Sequence, residues 1–98
     1  MFTGCAEFDL LLPEDSRSLK TKRSYVRPIV ASLRKYEVAV AEVDGQKLHG
    51  RTTIGVAAVA GDHGHVRQIL DACEHHIAGR PEVELLSARR RVFGPEDD

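Results

Sequence analysis

The chain has 98 residues, 42% hydrophobic and 30% charged, an ordinary composition for one soluble globular domain and too short for two. Its 14 Lys and Arg against 15 Asp and Glu leave a formal net charge of −1, which excludes a uniformly basic nucleic-acid-binding surface but not a local basic patch. Two cysteines, Cys5 and Cys73, make neither a disulfide framework nor a zinc site, and no apolar run approaches the roughly 20 residues of a membrane span. A reducing cytoplasm is the expected compartment. The start Met1-Phe2-Thr3-Gly4-Cys5 lacks the charged and apolar stretches that precede a lipoprotein cysteine.

From Phe2 to Leu12 the chain alternates, with Phe2, Gly4, Ala6, Phe8, Leu10 and Leu12 on one side and Thr3, Cys5, Glu7 and Asp9 on the other. That pattern predicts a strand with one buried face, ended by Pro13-Glu14-Asp15. Val26, Ile29, Val30 and Leu33 follow helical spacing, with Leu19 on the same side, so a helix is predicted to about Lys35, capped by Ser18 or Ser16. Pro28 falls inside it, removes the bond to the Ser24 carbonyl and implies a kink. Val38 to Val43 suits a short strand, and Asp44-Gly45 and His49-Gly50 bracket a loop. Thr52 to Ala60 predicts a third strand, with Ile54, Val56 and Ala58 facing one way and neighbours scarcely more polar, so that both faces look covered or the strand lies centrally in a sheet. Asp62 caps a second helix whose apolar set is Val66, Ile69, Leu70, Cys73 and Ile77, ended by Gly79 and Pro81. Val83 to Phe93 predicts the last strand.

The order β-α-β-β-α-β predicts an α+β ferredoxin-like sandwich: a four-stranded antiparallel sheet with two helices on one face and the first and third strands in its centre. It forms a single domain over residues 1–93, followed by an acidic, disordered tail at 94–98.

Seven basic residues and no acid lie between Ser16 and Tyr36: Arg17, Lys20, Lys22, Arg23, Arg27, Arg34 and Lys35. At about 100° per residue, Lys20, Arg23, Arg27 and Arg34 fall within about 60° of one another, a stripe beside the apolar face. With the hydroxyls of Ser16, Ser18, Thr21 and Ser24 at the helix start, this predicts a phosphate-tracking surface on RNA formed by Arg17, Lys20, Lys22, Arg23, Arg27 and Arg34. The plainer alternative is a solvated helix face held by nearby carboxylates, with Lys22 extending its stem from the apolar side. Arg89, Arg90 and Arg91 lie on the last strand, where one or two are expected to pair with Glu7 and Asp9 across the sheet.

Glu42, Asp44, Gln46, His49 and Arg51 cluster around the loop between the second and third strands and form a candidate ligand loop. No nucleophile or metal pattern accompanies them, so no catalytic residue, metal or cofactor is expected. The Gly61-Asp62-His63-Gly64 segment has the letters of a KH-domain loop, but it joins a strand to a helix, where capping and turn geometry explain it. His63 and His65 lack a third ligand, and His75 and His76 point about 100° apart on a helix. An acylphosphatase needs a catalytic asparagine and a copper chaperone a C-x-x-C pair; the chain has neither.

The segments Ser16-Arg17-Ser18-Leu19-Lys20-Thr21-Lys22-Arg23, Ala41-Glu42-Val43-Asp44-Gly45-Gln46 and Gly55-Val56-Ala57-Ala58-Val59 resemble the YlxP-like family of small bacterial proteins of unknown function. The resemblance spans nearly the whole chain and is most specific at the first of these segments. It implies a ferredoxin-like fold, a bacterial cytoplasm and, because members are often encoded beside ribosome-maturation genes, work on RNA or the ribosome. It carries no catalytic residues. The leading expectation is therefore a non-enzymatic accessory protein that binds ribosomal RNA or a ribosomal subunit through its first helix. A homodimeric small-ligand-binding or regulatory module without nucleic-acid binding is the alternative.

Overall fold

The computed structural model describes residues 1–96; the last two positions of the predicted tail, Asp97 and Asp98, lie outside the described residues. Strand β1 (Phe2–Leu11) is followed by α1 (Leu19–Leu33), a 3-10 turn (Arg34–Tyr36), β2 (Ala39–Asp44), β3 (Arg51–Ala60), α2 (His63–Ala78) and β4 (Glu84–Phe93). The strands form one antiparallel sheet in the order β2-β3-β1-β4, so β1 and β3 are central as their composition predicts. The fold is the ferredoxin-like α+β sandwich.

Ser18 is the cap of α1, its hydroxyl accepting from the Thr21 amide at 3.1 Å. Ser16 is used differently. It is buried and donates to the His49 carbonyl at 2.6 Å, holding the chain before α1 against the β2–β3 loop. The helix runs unbroken through Pro28. Pro28 and Ser24 are both exposed, so the carbonyl deprived of its amide faces water. Glu37 then takes a left-handed conformation (φ 61°) and returns the chain toward β2. Asp62 caps α2 by accepting from the His65 amide at 3.0 Å, as its position predicts.

The core is one cluster in which Phe8, Leu10 and Ile54 of the sheet meet Ile29 and Leu33 of α1 and Val66, Leu70, Cys73 and Ile77 of α2. Gly4 sets how closely α2 approaches, because a Cβ there would lie 2.3 Å from the Val66 side chain. Only one face of the sheet is packed. Of the two expectations for β3, central in the sheet or covered on both faces, the first holds: Ala57 and Val59 are exposed, Val59 to 62%, because no third layer of the described residues crosses the sheet. Strand parity divides the arginines of β4. Arg89 lies opposite Glu7 on the open face and reaches Asp9 at 2.5 Å, the expected cross-strand pairing. Arg90 points to the helix side and bonds Asp71 and Glu74 of α2 at 2.6 and 3.1 Å. Hydrogen bonds from Arg89, Ser87 and Thr53 hold the Asp9 carboxyl well below the usual carboxylate range.

A polar tie joins the far ends of the two helices. Ser32 donates to the Ile29 carbonyl at 2.8 Å, so its oxygen is left to accept from His76 Nε2 at 2.8 Å and from Arg80 at 3.3 Å. Nδ1 of His76 then accepts from the Tyr36 hydroxyl at 3.2 Å. This is a neutral imidazole donating to the serine, the wrong tautomer for a base that would activate it. Burial lowers the His76 pKa below its ordinary 6.5, and the charges of Lys35 and Arg80 lower it further against the opposing pull of Glu82. In the unfolded chain the imidazole takes up its proton more readily, so the tie contributes fully above about pH 6.5 and is lost as pH falls through the folded value. Thermal melts from pH 7.5 down to 5 should show this loss, and His76→Gln should flatten it.

Candidate nucleic-acid interface

Helix α1 presents Lys20, Arg23 and Arg27 along its exposed side, Arg34 opens the 3-10 turn that follows it, and Arg17 stands exposed just before it. The helix exists with this face outward because Val26, Ile29 and Leu33 bury the opposite one. Among the described residues, no carboxylate comes within ion-pair distance of Lys20, Arg23, Arg27 or Arg34, in contrast to Arg80, Arg89 and Arg90, each of which is paired. The Arg17 guanidinium donates to the Glu14 carbonyl at 3.4 Å.

Lys22 does not belong to this surface, which corrects its assignment as a nucleic-acid contact. It is 2% exposed, lies on the apolar side of α1 and extends its ammonium beneath the β2–β3 turn. There it donates to the Gly45 carbonyl and pairs with Glu42 Oε2 at 2.9 Å. The same carboxylate oxygen accepts from the Thr52 hydroxyl. A charge buried this deeply persists only when paired and hydrogen-bonded, and both conditions are met.

The candidate loop is divided by this pairing. Glu42 and Gln46 face α1, where Gln46 donates weakly to the Glu42 carbonyl oxygen at 3.4 Å. Asp44 accepts from the Gly45 amide at 2.7 Å, which fixes the turn where Gly45 takes φ 74°. Asp44 and Arg51 line a different cleft of about 260 Å³ at the end of the sheet, together with Asp9, Thr53 and Ser87. His49 lines neither; among the described residues its carbonyl accepts from Ser16. The five residues therefore do not converge as one acid-base site. Among the described residues, no group of three or more His, Cys, Asp or Glu is arranged to hold a metal ion, and no helix is long and apolar enough to cross a membrane.

The division creates a feature that sequence reasoning misses. Between α1 and the end of β2 lies a cleft of about 300 Å³ lined by the apolar Leu19 and Val26 and by Lys22, Arg23, Arg27, Glu42 and Gln46. Its helical half is readable as residues three to four apart, but its partners on β2 and the turn after it come from fifteen or more residues further along.

Residues 3–90 match the family profile described as "Protein of unknown function (DUF503)". The chain belongs to the DUF503 family. This DUF503 chain is 30% identical over 91 residues to the uncharacterized protein YlxP of Bacillus subtilis (strain 168), covering 92% of its own length and 98% of that protein. Among solved structures it is similar to the de novo designed protein Foldit4, with a TM-score of 0.57 at 11% identity, covering 98% of this chain and 100% of that one. At that identity the likeness shows the shared fold alone. A variant of SnoaB, a cofactor-independent oxygenase from Streptomyces nogalater, matches at a TM-score of 0.46 and 12% identity, over 97% of this chain and 95% of that one, and carries no argument about chemistry.

Lys22 and the exposed arginines should respond oppositely to substitution. Lys22→Met leaves Glu42 without its partner and should destabilise by about 3 kcal/mol, the lower end for a broken buried pair because Glu42 is partly solvated. Arg23→Met should change stability by less than about 0.5 kcal/mol. Urea unfolding followed by circular dichroism checks both.

Proposed function

We propose that this chain is a cytoplasmic, non-enzymatic accessory protein that binds ribosomal RNA or a ribosomal particle through α1. The observation that carries this reading is the unpaired stripe of Lys20, Arg23, Arg27 and Arg34 on one side of a helix with no acidic residue in its first turn. Cations without carboxylate partners keep their full attraction for phosphate, and four of them on one side track a backbone rather than a single anion. The resemblance to the YlxP-like family, with its gene company, directs the reading toward the ribosome. Replacing Arg23, Arg27 and Arg34 together by Gln should abolish co-sedimentation with ribosomal subunits and lower the salt dependence of RNA affinity by about one log–log unit per lost contact. The circular-dichroism melt should stay nearly intact. Unchanged co-sedimentation would overturn the reading.

A second reading, a homodimer without nucleic-acid binding, is favoured by the open sheet face. Its β2–β3 half exposes Ala39, Ala41, Val43, Ala57 and Val59, an apolar surface of the kind that marks an interaction site. Its β1–β4 half balances Glu7 and Asp9 with Arg89 and Arg91, so no net charge repels a second copy. Light scattering at micromolar concentration should find a dimer that Val59→Lys dissociates; a monomer removes this reading.

A further inference from the structure

The cleft between α1 and β2 goes beyond a phosphate-tracking surface. The geometry points to a pocket for one unpaired nucleotide of RNA, with the base on Leu19 and Val26, the phosphate on Arg23 and Arg27, and an amino-bearing base edge on Glu42 and Gln46. This inference rests on the proposed RNA binding and names what α1 would recognise within it.

Three observations carry it. The cleft measures about 300 Å³, at the small end of ligand pockets, and is partly open to solvent, which leaves an exit for the strand to which a bound base is attached. Its apolar lining is Leu19, 41% exposed although it sits in the basic segment, beside the largely buried Val26, so the notch offers an apolar contact that a bare phosphate would not use. Arg23 and Arg27 lie one turn apart beside it. Neither has a described carboxylate within ion-pair distance, so each guanidinium is available to stack on a base or fork onto a phosphate.

The edge chemistry sets the preference. The contacts of the Glu42 carboxylate, with Lys22 and Thr52, all fall on Oε2. Among the described residues, Oε1 of Glu42 and Oε1 of Gln46 have no hydrogen-bond donor, so the rim of the notch carries two acceptors. Acceptors pair with exocyclic amino groups, which cytosine, adenine and guanine carry and uracil does not. Uracil offers only its N3–H, flanked by two carbonyl oxygens that the carboxylate repels. The negative charge of Glu42 is balanced by Lys22, which leaves Arg23 and Arg27 to hold the phosphate.

The test is fluorescence anisotropy with single-stranded 12-nucleotide oligo-C, oligo-A and oligo-U and an RNA duplex of equal length, at one salt concentration. The intact protein should bind oligo-C and oligo-A about fivefold or more tighter than oligo-U and the duplex, the discrimination that one good base-edge contact provides. Gln46→Ala and Leu19→Glu, both at exposed positions that should leave the fold intact, should each reduce that preference while keeping salt-dependent binding. Equal affinity for all four RNAs, or a preference unchanged in both variants, overturns the nucleotide pocket while leaving the basic-helix reading in place. No binding of any RNA by the intact protein overturns both.

Discussion

The placement of α1 depends on the burial of Lys22. An ammonium nine-tenths or more out of water is costly unless its charge and its donors are matched, and here Glu42, the Gly45 carbonyl and the Thr52 hydroxyl that shares the carboxylate supply the match. Because those groups lie on β2, on the turn after it and on β3, the pairing fixes how α1 sits against the edge of the sheet. It also decides which basic residues remain free. Lys22 faces inward, so Arg23 and Arg27 necessarily face out along the rim of the resulting cleft. One buried charge thus locates the surface that four exposed ones form.

The same logic runs through the rest of the charges. The alternation of β4 sends Arg89 to the open face and Arg90 to α2, and each finds carboxylates on its own side. At the far ends of the helices, Ser32, Tyr36, His76 and Arg80 satisfy one another, with donors and acceptors arranged so that the histidine stays neutral. Along the stripe, none of the described carboxylates comes within ion-pair distance, although Glu42, held by Lys22, lines the same cleft as Arg23 and Arg27.

The open sheet face is a second surface of different character. Small side chains on β2 and β3 give it an apolar half, and Gly55 lets the Val43 side chain lie across it, since a Cβ there would meet that side chain at 2.8 Å. This face and α1 lie on opposite sides of the sandwich. A second copy on the sheet and an RNA strand on the helix would not compete for the same residues.

Periodicity made the fold legible. Two-residue alternation in β1 and helical spacing from Val26 to Leu33 and from Val66 to Ile77 are local consequences of backbone geometry, and they fix element type, core face and caps such as Asp62 without knowledge of distant partners. The openness of β3's second face was not legible, because an apolar strand looks the same whether a neighbour covers it or not. Nor was the fate of Lys22. Its helical angle sets it amid the apolar residues, but whether a lysine there is buried or extends to water depends on a partner twenty residues away, and only tertiary packing brings Glu42 and Gly45 to it. The loop residues divide for the same reason: Glu42 and Asp44 are neighbours in sequence, but the register shift between them and the partner each meets send one to α1 and the other to the sheet's end. The sequence by itself determined the sandwich and the basic helix, since both follow from spacing along one element. Which charges are free, and the cleft they border, only the tertiary structure decided, because those depend on pairs that meet across elements.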